Sequence, residues 1–157
     1  MKMTVPADLE ARVEGLIGTP FLAKGDTLGG WDCRGCARWC LRSFCGVETP
    51  DYRDLYDASL VMRLSGRTER ARLVAEGLAA WRPVEPQAGV VAWLEWLGGA
   101  GHVGFMLSPR LIVHADLRCD TALLDLDDPA AGYRLRGAFV PAHVDSIHHL
   151  SKARADV

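Results

Sequence analysis

The sequence carries no excess of charge of either sign: 18 Lys and Arg face 20 Asp and Glu, a net of −2 over 157 residues. That balance argues against a dedicated nucleic-acid binder, and no basic stripe interleaved with aromatics is present. No apolar run reaches the length of a membrane span. The opening residues, Met-Lys-Met-Thr-Val-Pro, lack the apolar stretch of a signal peptide. Internal repeats and low-complexity tracts are missing too. So is a paired cysteine framework: the five cysteines are odd in number and four crowd between Cys33 and Cys45, which points to a reducing compartment at synthesis. What remains is 49% hydrophobic and 24% charged, the make-up of one soluble domain with a real core. We expect that domain over residues 1–150, with a frayed polar tail at 151–157.

The informative stretch is Gly30-Trp31-Asp32-Cys33-Arg34-Gly35-Cys36. A glycine-rich run from Gly25 leads into it and a helical pattern follows to about Phe44, so Cys33 falls at a loop-to-helix junction. Asp32 is a good N-cap. A thiol at a helix N-terminus lies at the positive end of the macrodipole, which favours the nucleophilic thiolate. Downstream, Gly101-His102-Val103-Gly104-Phe105-Met106-Leu107 and Leu111-Ile112-Val113-His114-Ala115 read as buried strands, each with one polar residue. A nucleophile, a base and a group that orients the base complete a known logic of covalent catalysis.

In chain order, residues 6–17 predict a first helix with Leu9, Val13, Leu16 and Ile17 inward. After Cys33, the residues Cys36, Ala37, Cys40, Leu41 and Phe44 share its face, Arg34, Arg38 and Arg42 form a solvated stripe, and Gly46 is a C′ glycine. Helices are expected over 52–62 and 67–80, the latter with Ala71, Val74, Leu78 and Trp81 inward. Beyond Trp81 the pattern becomes strand and turn: 89–96, 102–107, 111–115, 121–126 and 133–140. Helices followed by an antiparallel meander make an α+β layout.

Five ordered segments resemble the NlpC family of papain-like cell-wall cysteine endopeptidases. Ile17-Gly18-Thr19-Pro20-Phe21 looks like the family's "GTPY" segment, and Gly29-Gly30 with Trp31-Asp32-Cys33-Arg34-Gly35 looks like "GG…DCSG". Ala88-Gly89-Val90-Val91-Ala92-Trp93 looks like "PGDLVFF", Gly101-His102-Val103-Gly104 like "GHVGIY", and Ile112-Val113-His114-Ala115 like "FIHA". The resemblance implies an α+β papain-like fold, with the nucleophile opening a helix that packs on a C-terminal antiparallel sheet. It implies Cys33 as nucleophile, His102 as base, His114 as the residue orienting His102, and the Cys33 backbone N–H as oxyanion donor. Phe21, Trp31 and Arg34 are expected to contact substrate. Phe21 keeps the ring but not the hydroxyl of the family's tyrosine, Arg34 replaces a serine, and Val90 replaces an aspartate.

The resemblance further implies cleavage of amide bonds in peptidoglycan stem peptides, without metal or cofactor. The chain is similar in particular to the small stand-alone peptidases encoded with bacteriophage-tail and gene-transfer-agent genes. That implies synthesis in the bacterial cytoplasm, incorporation in a virion tail, tail-tip or hub partners, and opening of the wall for DNA delivery. The alternatives are a structural tail-tip protein with the same fold, and an iron–sulfur or zinc protein built on Cys33, Cys36 and Cys40, with Cys45 or Cys119 as a fourth ligand. Cys33 and Cys36 also match a thioredoxin-like dithiol, but the βαβ context is missing. Cys36 and Cys40 read as core, His143, His148 and His149 as surface residues, and Trp93 and Trp96 as core and cleft wall.

Overall fold

The structure, a computed structural model, describes residues 1–50, 79–97 and 101–151. Its centre is a six-stranded antiparallel sheet. The strands are β4 (Trp81–Val84), β5 (Val91–Trp96), β6 (Gly101–Met106), β7 (Leu111–Asp116), β8 (Asp120–Asp125) and β9 (Tyr133–Pro141), in the order β4-β9-β5-β6-β7-β8. The expected strands appear with ends shifted by a residue or two, as their apolar runs between turn residues require. The register sets Leu94 opposite His102 and Trp93 opposite Val103. Ile112, Val113, His114 and Ala115 are all buried, so β7 is covered on both faces.

Before the sheet come β1 (Lys2–Val5), α1 (Leu9–Glu14), the short pair β2 (Asp26–Thr27) and β3 (Gly30–Trp31), and α2 (Cys33–Cys45). Helix α2 lays Cys36, Ala37, Cys40, Leu41 and Cys45 into the core, and Phe44 reaches Phe105 of β6 at 6.3 Å between rings. It ends as expected at Gly46, whose φ of 66° is the left-handed region a glycine adopts without strain. The Gly46 N–H returns to the carbonyls of Arg42 and Leu41.

Several expectations are corrected. Helix α1 is shorter than 6–17: it stops at Glu14, so Ile17 leaves the apolar face and is 46% exposed. The first residues form β1, which pairs in parallel with β10 (Ser146–His149). The stretch around His148 and His149 is therefore a strand, although both histidines are exposed as expected. Arg38 is not solvated; it is half-buried and bonds the Asp26 carboxylate at 2.9 Å and the Thr49 carbonyl at 3.2 Å. The helix expected over 52–62 and all but the last two residues of that expected over 67–80 lie outside the described residues. Ala79 and Ala80 form an exposed turn, and Trp81 starts β4 instead of ending a helix.

Candidate active site

Cys33 is the first residue of α2 and is partly exposed. The expected cap forms and is more extensive than a single bond. Asp32, 2% exposed, takes the N–H groups of Arg34 and Gly35 on Oδ1, each at 2.9 Å, and that of Lys24 on Oδ2, also at 2.9 Å. One carboxylate thus fixes the first turn of the helix and the loop in front of it. The N–H of Cys33 stays outside this capping set, in the position from which a first-turn amide can face an anion. Asp32→Ala should cost about 2–3 kcal/mol, since it strips three backbone donors of their acceptor. Asp32→Asn, which keeps the acceptor Oδ1, should cost less than half as much. Urea unfolding of the three proteins measures it, and equal stability for Ala and wild type would refute the cap's role.

The thiol faces β6. A hydrogen bond from the Val103 backbone reaches Cys33 and favours its thiolate, as does the nearby Arg34 charge. Burial opposes both and prevails, pushing the thiol up to about 11, with Asp32 adding to the rise. Val103 follows His102 directly in β6. The Nε2 of His102 meets Nδ1 of His114 at 2.8 Å, with the rings perpendicular and 5.0 Å apart. Burial lowers His102 to about 4, helped by the neighbouring His114; Asp116 pulls the other way. His114, 4% exposed, is lowered for the same first reason. The shifts leave the Cys33 thiol and the imidazoles of His102 and His114 uncharged near neutral pH. The thiolate expected from helix position alone is outweighed by burial.

Three side chains that sequence reasoning missed hold the histidines. Tyr133 stacks on His102 at 5.0 Å with planes 27° apart and presents its face or edge to His114 at 5.6 Å. Its hydroxyl donates to Asp116 Oδ2 at 2.6 Å. Arg118 grips both Asp116 oxygens at 2.9 Å and donates to the Tyr133 hydroxyl at 3.0 Å. The Arg118 guanidinium, with the Tyr133 hydroxyl assisting, holds the Asp116 carboxyl well below the usual carboxylate range. Arg118 also lies 3.8 Å over the Trp96 ring, which meets Tyr133 edge-on at 5.0 Å. A signal for Asp116 was present: in a strand, residues two apart share a face, so Asp116 follows His114. Tyr133 arrives from β9 and had none.

The expected substrate contacts divide. Phe21 is half-buried beside β3, its N–H on Asp120 Oδ1 at 2.8 Å. Arg34 sits in the first turn of α2, close enough to act on the thiol. Trp31 is corrected: it is 0% exposed and its Nε1 donates to Thr121 Oγ1 at 2.7 Å, so it is a core residue closed to substrate. The cysteines do not gather around a common point. Cys36 and Cys40 are 0% exposed and hydrogen-bonded to each other, whereas Cys33 faces Val103 and Cys119 is exposed beyond β7. Among the described residues, no three His, Cys, Asp or Glu side chains converge as metal ligands.

No family model matches the sequence, and no curated protein matches it significantly. Fourteen solved chains match in structure. The NlpC/p60 domain of the peptidoglycan hydrolase SagA aligns with a TM-score of 0.53 and 17% identity, over 85% of this chain and 97% of that domain. A protein similar to lipoprotein, of the NLP/P60 family, from Staphylococcus aureus subsp. aureus Mu50 aligns with a TM-score of 0.53 and 19% identity. The alignment covers 86% of this chain and 40% of that one, so this chain spans less than half of the second relative's length. These likenesses establish the fold, α+β and papain-like, of the NlpC/p60 kind.

Proposed function

We propose that this chain is a peptidoglycan cysteine endopeptidase that cuts amide bonds in stem peptides. The observation that carries the reading is a partly exposed cysteine opening a capped helix, against the strand residue next to a histidine whose far nitrogen is held by a second histidine. His114 occupies Nε2 of His102, which leaves Nδ1 as the atom to take the thiol proton. The sulfur attacks the scissile carbonyl as that proton moves, and the oxyanion is met by the Cys33 N–H. His102 then protonates the leaving amine, and later takes a proton from the water that releases the acyl group. His114 fixes the ring's tautomer, while Tyr133 and the Asp116–Arg118 pair fix its plane. The name of the SagA domain supports peptidoglycan as the substrate. The sequence resemblance to tail peptidases supports delivery on a virion tail, which an antibody against this chain would test on purified virions.

The test of the activity is release of stem-peptide fragments from purified peptidoglycan, read by mass spectrometry. Fragments with one consistent new terminus are expected, and their absence over the full range of cell-wall types would overturn the reading. The neutral resting pair also sets the pH dependence. His102 works as a base when neutral, so kcat/KM should fall only as pH drops through about 4, where His102 gains its proton. With the thiol pushed up to about 11, no alkaline limb should enter before that region. A plateau from about pH 5 to about 9 is the expected profile. An acid limb centred near pH 6.5 would show that His102 is not held neutral.

A further inference from the structure

The proposed chemistry uses one thiol of the first turn of α2 and leaves its neighbour idle. Cys33 and Cys36 stand at the first and fourth positions of that helix. Cys33 is partly exposed; Cys36, three residues on, is 0% exposed, and its free thiol shares a hydrogen bond with Cys40. In an α-helix, residues three apart have Cα atoms about 5 Å apart, inside the range of about 4.4–6.8 Å that disulfides span. Their Cβ atoms start about 5–6 Å apart, against about 3.8 Å in a relaxed disulfide. The first turn must therefore tighten against the Asp32 cap, which holds the Arg34 and Gly35 N–H groups, so the bridge closes under strain. A bridge closed under such strain is readily reduced again.

We infer that Cys33 and Cys36 form a reversible redox site, oxidised by hydroperoxides to an intrahelical disulfide that blocks the nucleophile. Cys33 sulfur attacks the outer oxygen of the hydroperoxide: the S–O bond forms, the O–O bond breaks, and the alcohol or water departs with the thiol proton. The sulfur of Cys36 then attacks Cys33 sulfur; the S–S bond forms and the S–O bond breaks. Hydroxide leaves and takes the Cys36 proton as water. Two thiols lose two electrons and two protons, and the hydroperoxide is reduced. A dithiol reverses the step by exchange, itself becoming a disulfide. Closure spares Cys33 from irreversible sulfinic acid. Of the four cysteines of α2, Cys33 is the one placed to meet the oxidant, since Cys36, Cys40 and Cys45 are buried.

The bridge stands on the helix geometry alone; the loss of peptidase activity rests on Cys33 being the nucleophile. The sequence makes the test clean. Trypsin cuts after Lys24, Arg34, Arg38 and Arg42, placing Cys33, Cys36 and Cys40 on separate peptides 25–34, 35–38 and 39–42. The whole chain is treated with hydrogen peroxide, its remaining thiols are alkylated, and the digest is mapped. Peptides 25–34 and 35–38 should be joined, and dithiothreitol should part them. Activity should fall at least about tenfold and return with the thiols. Cys36→Ala should instead carry sulfinic acid at Cys33 and stay inactive after dithiothreitol, while Cys40→Ala should behave as wild type. A Cys36–Cys40 bridge, or unlinked peptides in oxidised wild type, overturns the proposal. The map reads the bridge even if no peptidase activity is found, so failure of the two readings is told apart.

Discussion

Replacing Cys33 by alanine should lower stem-peptide release at least about a thousandfold and leave the fold in place. The two halves of that expectation have separate causes. The helix start is held by the Asp32 carboxylate, which bonds Arg34, Gly35 and Lys24 and not Cys33. Alanine suits a helix as well as any residue, so the melting temperature should stay within a few degrees. What goes is the sulfur beside Val103, and with it the acyl intermediate. Serine should fare little better. A base lowered to about 4 is poorly matched to a hydroxyl that is far less acidic than a thiol. Fragment release by the alanine variant at near wild-type rate would sink the assignment of Cys33, whatever the fold.

At the Cys33 thiol, helix position and burial pull in opposite directions. A helix terminus offers about 0.3–1 kcal/mol to a charge at an exposed end. An upward move from 9.0 to about 11 corresponds to about 3 kcal/mol against that charge. Burial wins by that margin, and burial depends on β6 packing over α2, which no local pattern announces. On the proposed reading Cys33 then needs a base at the moment of attack, which is why the grip on His102 matters: one nitrogen on His114, one face on Tyr133.

The same division runs through the fold. The strands carrying His102 and His114 were legible because short apolar runs bounded by Gly, Ser and Pro have few alternatives. Asp32, Cys33 and Gly46 were legible because caps are local. β1 was not: four residues pair with β10 at the opposite end of the chain, and a strand that short has no signal without its partner. Trp31 misled because it lies two residues before Cys33 in sequence. Its ring turns inward to Thr121, two side chains before the sulfur turns towards the sheet. Arg38 shares a stripe with Arg34, yet it finds Asp26 across the loop, and stripes do not show what lies opposite them.

The residue after Arg34 is expected to be the least replaceable position for stability. Gly35 lies at the third position of α2 and is buried, and its backbone presses on the loop that precedes the helix. A methyl group there would overlap the Gly25 carbonyl oxygen, and it would stand 2.9 Å from the Gly25 carbonyl carbon and 3.1 Å from Asp26 Cα. All three are backbone atoms, so no rotamer change relieves the overlap. The loop would have to lift, and two ties depend on its place: Lys24 N–H to Asp32, and Asp26 to Arg38. In an ordinary helix interior, glycine to alanine stabilises by about 1 kcal/mol. Here the sign should reverse, and Gly35→Ala should lose about 3–5 kcal/mol or fail to fold. Activity should fall with it, because the displaced turn carries Cys33. Denaturant unfolding decides the matter: a variant as stable as wild type would mean that helix and loop do not meet here. The glycine two residues after Cys33 is then explained by contact, since the helix can reach its capping loop only where a side chain is missing.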